Sequence, residues 1–194
     1  ASFAVTVFAP LAACTSAPPP EPVAAEADRN GDVLVTRRGD VRIHTYVSPA
    51  DGFLVNTQIV ETPRSVVIFD AQLREGYAAE VAAYVARLNK PVSRIVISHG
   101  HRDHWSGLGA LHQRFPDAPI YAHAKVRAGV TASTNDLADG ELTIDGVRFI
   151  VRSTPDAESD YQSYVLMPDQ GVLMAFDTVF PANTHEFTVA AHFD

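Results

Sequence analysis

The stretch His99-Gly100-His101-Arg102-Asp103-His104 decides how this chain is read. It follows the apolar run Arg94-Ile95-Val96-Ile97-Ser98 and leads into Trp105-Ser106-Gly107-Leu108, so four potential metal ligands sit at the end of a predicted buried strand. Side chains alternate along an extended backbone, which predicts His99, His101 and Asp103 on one side and His104 elsewhere. Imidazole nitrogen and carboxylate oxygen are donors that a divalent transition metal such as Zn²⁺ favours. His99 and His101 are thus expected to hold one ion while Asp103 and His104 face a second. The plainer alternative, turn histidines beside an acidic helix cap, would produce this spacing only by rare coincidence.

Composition narrows the setting. At 194 residues, 46% of them hydrophobic, the chain is long enough to bury one sizeable core. A net charge of −8 with no run of Lys or Arg argues against a nucleic-acid surface. The single cysteine excludes an internal disulfide framework and a Cys-based zinc knuckle, leaving His and carboxylate as ligands. Gly107-Leu108-Gly109 lacks the third glycine of a dinucleotide loop, and no Gly-x-Ser-x-Gly elbow is present.

Residues 1–13 are almost all apolar or small, as in the hydrophobic part of a secretory signal. Leu11-Ala12-Ala13-Cys14 resembles the bacterial lipobox, in which the cysteine thiol is lipidated. The alternative is an ordinary free thiol in a tail. Residues 15–30, with Thr15-Ser16-Ala17-Pro18-Pro19-Pro20 at their head, read as a disordered proline- and alanine-rich tether, and residues 31–194 as the folded domain. This predicts a lipid-anchored envelope protein, its recorded sequence clipped at both ends, touching the membrane through its anchor alone.

Within the domain, period-two runs predict strands over 33–36, 41–47, 53–60 and 65–70, the first two joined by Gly39-Asp40. Apolar residues at three- and four-residue spacing predict a helix over 73–88 and another from Trp105 to Phe115. Between them lies the strand that delivers the metal loop, making the sheet mixed. Further strands are predicted over 120–123, 141–144, 147–151, 163–167 and 171–180, with a turn at Thr154-Pro155.

The His-x-His-x-Asp-His loop resembles that of the metallo-β-lactamase-fold hydrolases, and the resemblance extends over about residues 31–185. It implies an α/β (α+β) fold, an αββα sandwich of two mixed sheets, with one or two zinc ions between them. Asp70, ending its strand, matches a carboxylate that supports the metal loop. Gly171 to Phe180 matches the strand whose aspartate, here Asp177, bridges the two metals. The family's Thr-Pro-Gly-His turn supplies a third imidazole, but Thr154-Pro155-Asp156-Ala157-Glu158 contains no histidine. Counting forward puts Ala157 at that position and counting back from the next strand puts Glu158 there; Glu158 is the expected ligand, with Asp160 and Asp156 behind it. His185 and Trp105 are candidates for the pocket, whereas His112 and His123 are expected to be ordinary surface or packing residues.

The resemblance also implies the chemistry. Zinc-bound hydroxide, positioned by Asp103 and Asp177, would attack an ester, lactone, phosphoester or sulfate ester. An aspartate where true β-lactamases of one branch need cysteine makes β-lactam hydrolysis a lesser alternative. A non-catalytic envelope lipoprotein or inactive fragment that keeps the fold as a binding module is the reading from a different class.

Overall fold

The structure is a computed structural model that describes residues 21–22, 30–127, 130 and 133–178. Sheet A has eight strands in sequence order: β1 (Glu21–Pro22), β2 (Asp32–Arg38), β3 (Val41–Val47), β4 (Asn56–Glu61), β5 (Val66–Phe69), β6 (Val92–Ile97), β7 (Ile120–Ala122) and β8 (Asn135–Asp136). β1 to β5 pair antiparallel and β5 to β8 parallel, so the sheet is mixed. Sheet B runs in the order β12 (Val172–Met174), β11 (Tyr161–Met167), β10 (Val147–Pro155), β9 (Gly140–Ile144). Among the described residues all its pairings are antiparallel, so that of the two sheets the larger alone is mixed there. Short connections such as Asp145-Gly146 permit hairpins, whereas parallel pairing needs a long crossover.

Helices α1 (Glu75–Arg87) and α2 (Leu108–Arg114) cover one face of sheet A, and a third short helix, α3 (Ala124–Arg127), follows β7. Ala78, Val81, Ala82 and Val85 of α1 meet Ile59, Ile68, Ile95 and Ile97 in one apolar cluster. On the other face, Val60, Val67, Phe69 and Val96 pack against Phe149, Val151, Val165 and Met167 of sheet B. The period-two pattern of β4 to β6 therefore feeds two cores at once. No helix among the described residues is long and apolar enough to cross a membrane.

Several elements differ from the sequence reading. Phe53 and Leu54, expected in a strand, adopt left-handed backbone at φ 66° and 57°. Ser48 holds that turn by donating its hydroxyl to the Gly52 carbonyl at 2.9 Å, and Asp51 is tied to Arg74 and Tyr77. Thr154 and Pro155 end β10, and the turn falls at 156–160. The expected tether at 15–30 is not structureless throughout: Glu21 and Pro22 pair with β2, and Asn30 donates its side-chain amide to Glu80 at 2.7 Å. The expected strand over 171–180 shortens to β12, after which a 3₁₀ turn spans Phe176–Thr178.

Candidate metal centre

The ends of β5 and β6, the loop after β6, the 156–160 turn and the 3₁₀ turn after β12 build the site. β5 terminates at Asp70, whose backbone is left-handed (φ 65°) and whose side chain is completely buried. β6 runs on through Ser98 and His99, where the Ser98 carbonyl accepts from the Ser163 N–H at 2.9 Å and ties the loop to sheet B. The chain then turns in a 3₁₀ step over Arg102–His104 instead of continuing extended. Alternation stops at His101, and His104, expected to point elsewhere, turns its Nε2 into the centre, 3.5 Å from Asp103 Oδ2 and 3.0 Å from Asp177 Oδ2. Gly107 allows the loop to close on the β5–α1 turn: its N–H donates to the Gln72 carbonyl at 2.9 Å, and a Cβ there would meet the Ala71 carbonyl oxygen at 2.2 Å.

Asp70 orients two imidazoles. Its Oδ1 accepts from the Ser98 N–H at 2.8 Å, and its Oδ2 accepts from the Ser98 hydroxyl at 2.7 Å and faces His104 Nδ1 at 2.8 Å. The hydroxyl has one proton, spent on Asp70, so at 2.9 Å from His99 Nδ1 it can only accept. Nδ1 of His99 thus carries the proton, and its Nε2 presents a bare lone pair to the centre. Burial, reinforced by the neighbouring His104, pushes the His99 pKa down to about 3 and keeps that ring neutral. His104 is also buried, which opposes charging, yet Asp70 and Asp177 hold its pKa well above the ordinary value.

The structure gathers six side chains that could hold a metal into two triads, His99–His101–Glu158 and Asp103–His104–Asp177, each with its candidate ligand atoms within 4.8 Å of one another. Glu158 Oε1 lies 3.0 Å from His101 Nδ1, a contact that raises the His101 pKa, and Oε2 lies 3.4 Å from His99 Nε2. Asp177 Oδ2 stands between the triads, 3.0 Å from His104 Nε2 and 4.0 Å from His99 Nε2. Asp103 Oδ2 is 3.5 Å from His104 Nε2. Among the described residues, the buried His99 Nε2 and Glu158 Oε2 have no hydrogen-bond partner. Both are acceptors facing one another, and a cation between them satisfies both. Bonds of about 2.0–2.2 Å in a tetrahedral zinc site place neighbouring donors about 3.4 Å apart, the spacing of His99 Nε2 and Glu158 Oε2. The donor set fits a divalent metal.

The centre lies between two clefts. One, of about 710 Å³, is lined by His101, Glu158, Lys125, Asp156, Asp160 and Tyr161, among others. The other, of about 600 Å³, is lined by Arg38, Thr45, Asn56, Gln58, His104 and Asp177, among others. Of the remaining sequence candidates, the fallback ligands Asp156 and Asp160 are exposed on the cleft wall, outside both triads. Trp105 donates its indole N–H to the Gly100 carbonyl at 3.0 Å and packs on the helix-side core; it lines neither cleft. His112 is exposed on α2, and His123 stacks on Tyr161 at 4.3 Å. His185 and Cys14 lie outside the described residues. The sequence reading missed Ser98; its only sequence signal is a hydroxyl directly preceding the first ligand.

A family model described as metallo-beta-lactamase superfamily matches residues 50–192. The chain belongs to the metallo-beta-lactamase superfamily. Hydroxyacylglutathione hydrolase of Yersinia pestis (strain Pestoides F) is 31% identical over 108 residues, 55% of this chain and 41% of that enzyme. The matched segment thus spans less than half the length of that superfamily relative. Among solved structures, a metallo-beta-lactamase from Pontibacter korlensis aligns with a TM-score of 0.60 at 24% identity, covering 73% of this chain and 70% of its own. The FIM-1 enzyme from Pseudomonas aeruginosa, solved in a mono-zinc form, aligns with a TM-score of 0.59 at 20% identity, covering 76% and 69%. At these identities the two superfamily structures establish the αββα sandwich fold alone.

Proposed function

We propose that this superfamily member is a zinc-dependent hydrolase of a small ester, lactone, phosphoester or sulfate-ester substrate. The observation that carries the reading is the pair of unpartnered acceptors, His99 Nε2 and Glu158 Oε2, facing each other at 3.4 Å beside a second triad. Zinc, when bound, acidifies water toward neutral pH and stabilises the negative charge that develops on a carbonyl, phosphoryl or sulfuryl oxygen.

The chain's own residues do the rest. Asp70 fixes both buried imidazoles with Nε2 toward the centre, directly at His104 and through Ser98 at His99. Asp103 and Asp177 place carboxylates where a water beside the ions would be held and relieved of its proton. The two clefts give a small molecule access from either side. Thioester hydrolysis is the second reading, favoured by the name of the Yersinia pestis relative. Lipidation at Cys14, with an address in the bacterial envelope, is part of the proposal and is supported by the sequence pattern alone.

The test is a panel of esters, lactones, thioesters, phosphodiesters, sulfate esters and one β-lactam, offered to the full chain before and after chelation. Hydrolysis lost on chelation and restored by zinc supports the reading. Equal turnover by the metal-free chain, or none by the zinc-loaded chain, overturns it, the latter in favour of a binding module.

A further inference from the structure

Asp177 reaches the centre on a turn that is fixed from outside. The 3₁₀ turn Phe176–Thr178 follows the short strand β12, and Phe176 sits in it with left-handed backbone at φ 48°. An aromatic residue keeps that conformation only where its surroundings impose it. The Phe176 ring packs on Phe69 at 6.1 Å, and a buried side chain of β11 holds the turn from another direction. Gln162 is completely buried, and its Nε2 donates to the Ala175 carbonyl at 2.9 Å and to the Thr178 hydroxyl at 2.6 Å. Those acceptors flank Asp177 on either side in the chain. A carbonyl can only accept, so the amide nitrogen must face it, and both amide protons are spent on the turn. Thr178 passes its own hydroxyl proton to Tyr164 Oη at 3.1 Å, and Tyr164 shares the face of Gln162 because it stands two residues along the same strand.

We infer that Gln162 is a positioning residue for Asp177, holding the turn so that the carboxylate stands where an ion at the centre would meet it. The inference rests on the proposed metal centre, in which Asp177 Oδ2 lies 3.0 Å from His104 Nε2 and 4.0 Å from His99 Nε2. Packing alone does not account for a glutamine here. Its Oε1 is buried without a partner among the described residues, a cost that an apolar side chain of the same size avoids. What the glutamine adds is a pair of donors aimed at the two ends of the Asp177 turn. Gln162 also lies opposite His99 in an isolated antiparallel bridge, and the next residue, Ser163, donates its N–H to the Ser98 carbonyl at 2.9 Å. The start of β11 thus ties the imidazole loop through its backbone and the aspartate turn through its side chain, which sets the spacing between them.

The experiment is titration of the chelated, full-length chain with Co²⁺, read by calorimetry and by the visible spectrum of the bound ion, for wild type, Gln162→Met, Asp177→Asn and the double variant. Gln162→Met nearly keeps the volume and removes both donors. It should weaken cobalt binding by about 10–100-fold, the cost of losing a group that orients a ligand, and shift the spectrum. In the Asp177→Asn background the same substitution should change neither affinity nor spectrum further, because Gln162 acts through Asp177. A residue that merely stabilises the fold would weaken binding equally in both backgrounds. Should Gln162→Met fail to fold, as far-UV circular dichroism would show, Thr178→Val removes one acceptor of the amide and takes its place in the cycle, with an expected loss of about tenfold. Unchanged affinity and spectrum in the folded variant, or equal losses with and without Asp177, overturns this inference while the metal centre stands. A wild-type chain that takes up no cobalt, or an Asp177→Asn variant indistinguishable from wild type, overturns the metal-centre reading and this inference with it.

Discussion

Sheet A buries histidine beside carboxylate in two places, and the two are finished differently. On the neighbouring strands β3 and β4, Glu61 is 2% exposed and its oxygens meet Arg42 at 2.5 and 2.6 Å, Lys90 at 2.8 Å and His44 at 3.1 Å. His44 completes its ring with the Tyr84 hydroxyl of α1 at 2.7 Å. Both Glu61 oxygens and both His44 ring nitrogens have a partner. At the metal centre Asp70 satisfies the rear of the cluster just as fully, but the front ends in two facing lone pairs. Unpartnered buried atoms occur elsewhere, at Gln72, Ser106 and Gln162 for example. Those, with Arg94 and Gln170, are amide, hydroxyl or guanidinium atoms, whereas the centre points an imidazole and a carboxylate at each other. A closed polar cluster fastens a helix to a sheet; an open one waits for a ligand.

The largest way to break the comparison is to remove the open cluster's donors. A double His99→Ala, His101→Ala variant should lose bound zinc altogether, by metal analysis after dialysis, while keeping its far-UV circular dichroism. Next is the support behind them. Asp70→Asn should lower zinc affinity by about 10–100-fold, because it loosens one imidazole directly and the other through Ser98.

The closed cluster should respond in stability instead. Salt bridges and hydrogen bonds from Arg42, Lys90 and His44 outweigh the opposing effect of burial and hold the Glu61 pKa at about 2. The folded pKa lies below the unfolded one, so this contribution is present above about pH 4.5 and is lost as pH falls toward 2. Glu61→Gln should cost on the order of 2–3 kcal/mol at pH 7, discounted because Arg42 is partly exposed. In urea unfolding the gap between wild type and variant should narrow steadily below pH 4.5. Burial lowers the His44 pKa, so its charging also erodes stability as pH falls below about 6.5. The smallest effect is expected from exposed His112→Ala, within about 0.5 kcal/mol in stability and without change in zinc content.

What the sequence disclosed of these two regions follows from distance along the chain. The metal loop was legible because its ligand types lie within six residues at the end of an apolar run. Asp177 was legible as the end of a strand, though that strand is shorter than its apolar run. Glu158 needed counting back from β11, since the extension of β10 through Thr154-Pro155 moves the turn onward. The inward turn of His104 was missed because alternation presumes an extended backbone and the chain makes a 3₁₀ turn there. The Glu61 cluster left no sequence signal. Its members come from β3, β4, the end of α1 and Lys90, and only the strand register that sets Arg42 opposite Glu61 brings them together. Nor did anything in Phe53-Leu54 announce left-handed backbone, which is imposed by the bonds of Ser48 and Asp51 around it.

The most direct test of the division between open and closed clusters is the shift in melting temperature on adding zinc to chelated protein, measured for wild type, Glu61→Gln and His99→Ala. A ligand at about 100 times its dissociation constant stabilises the form that binds it by about 2.7 kcal/mol. Glu61→Gln should start from a lower melting temperature and rise by the same increment as wild type, while His99→Ala should lose most of the rise. A full zinc shift in His99→Ala, or its loss in Glu61→Gln, would contradict the account.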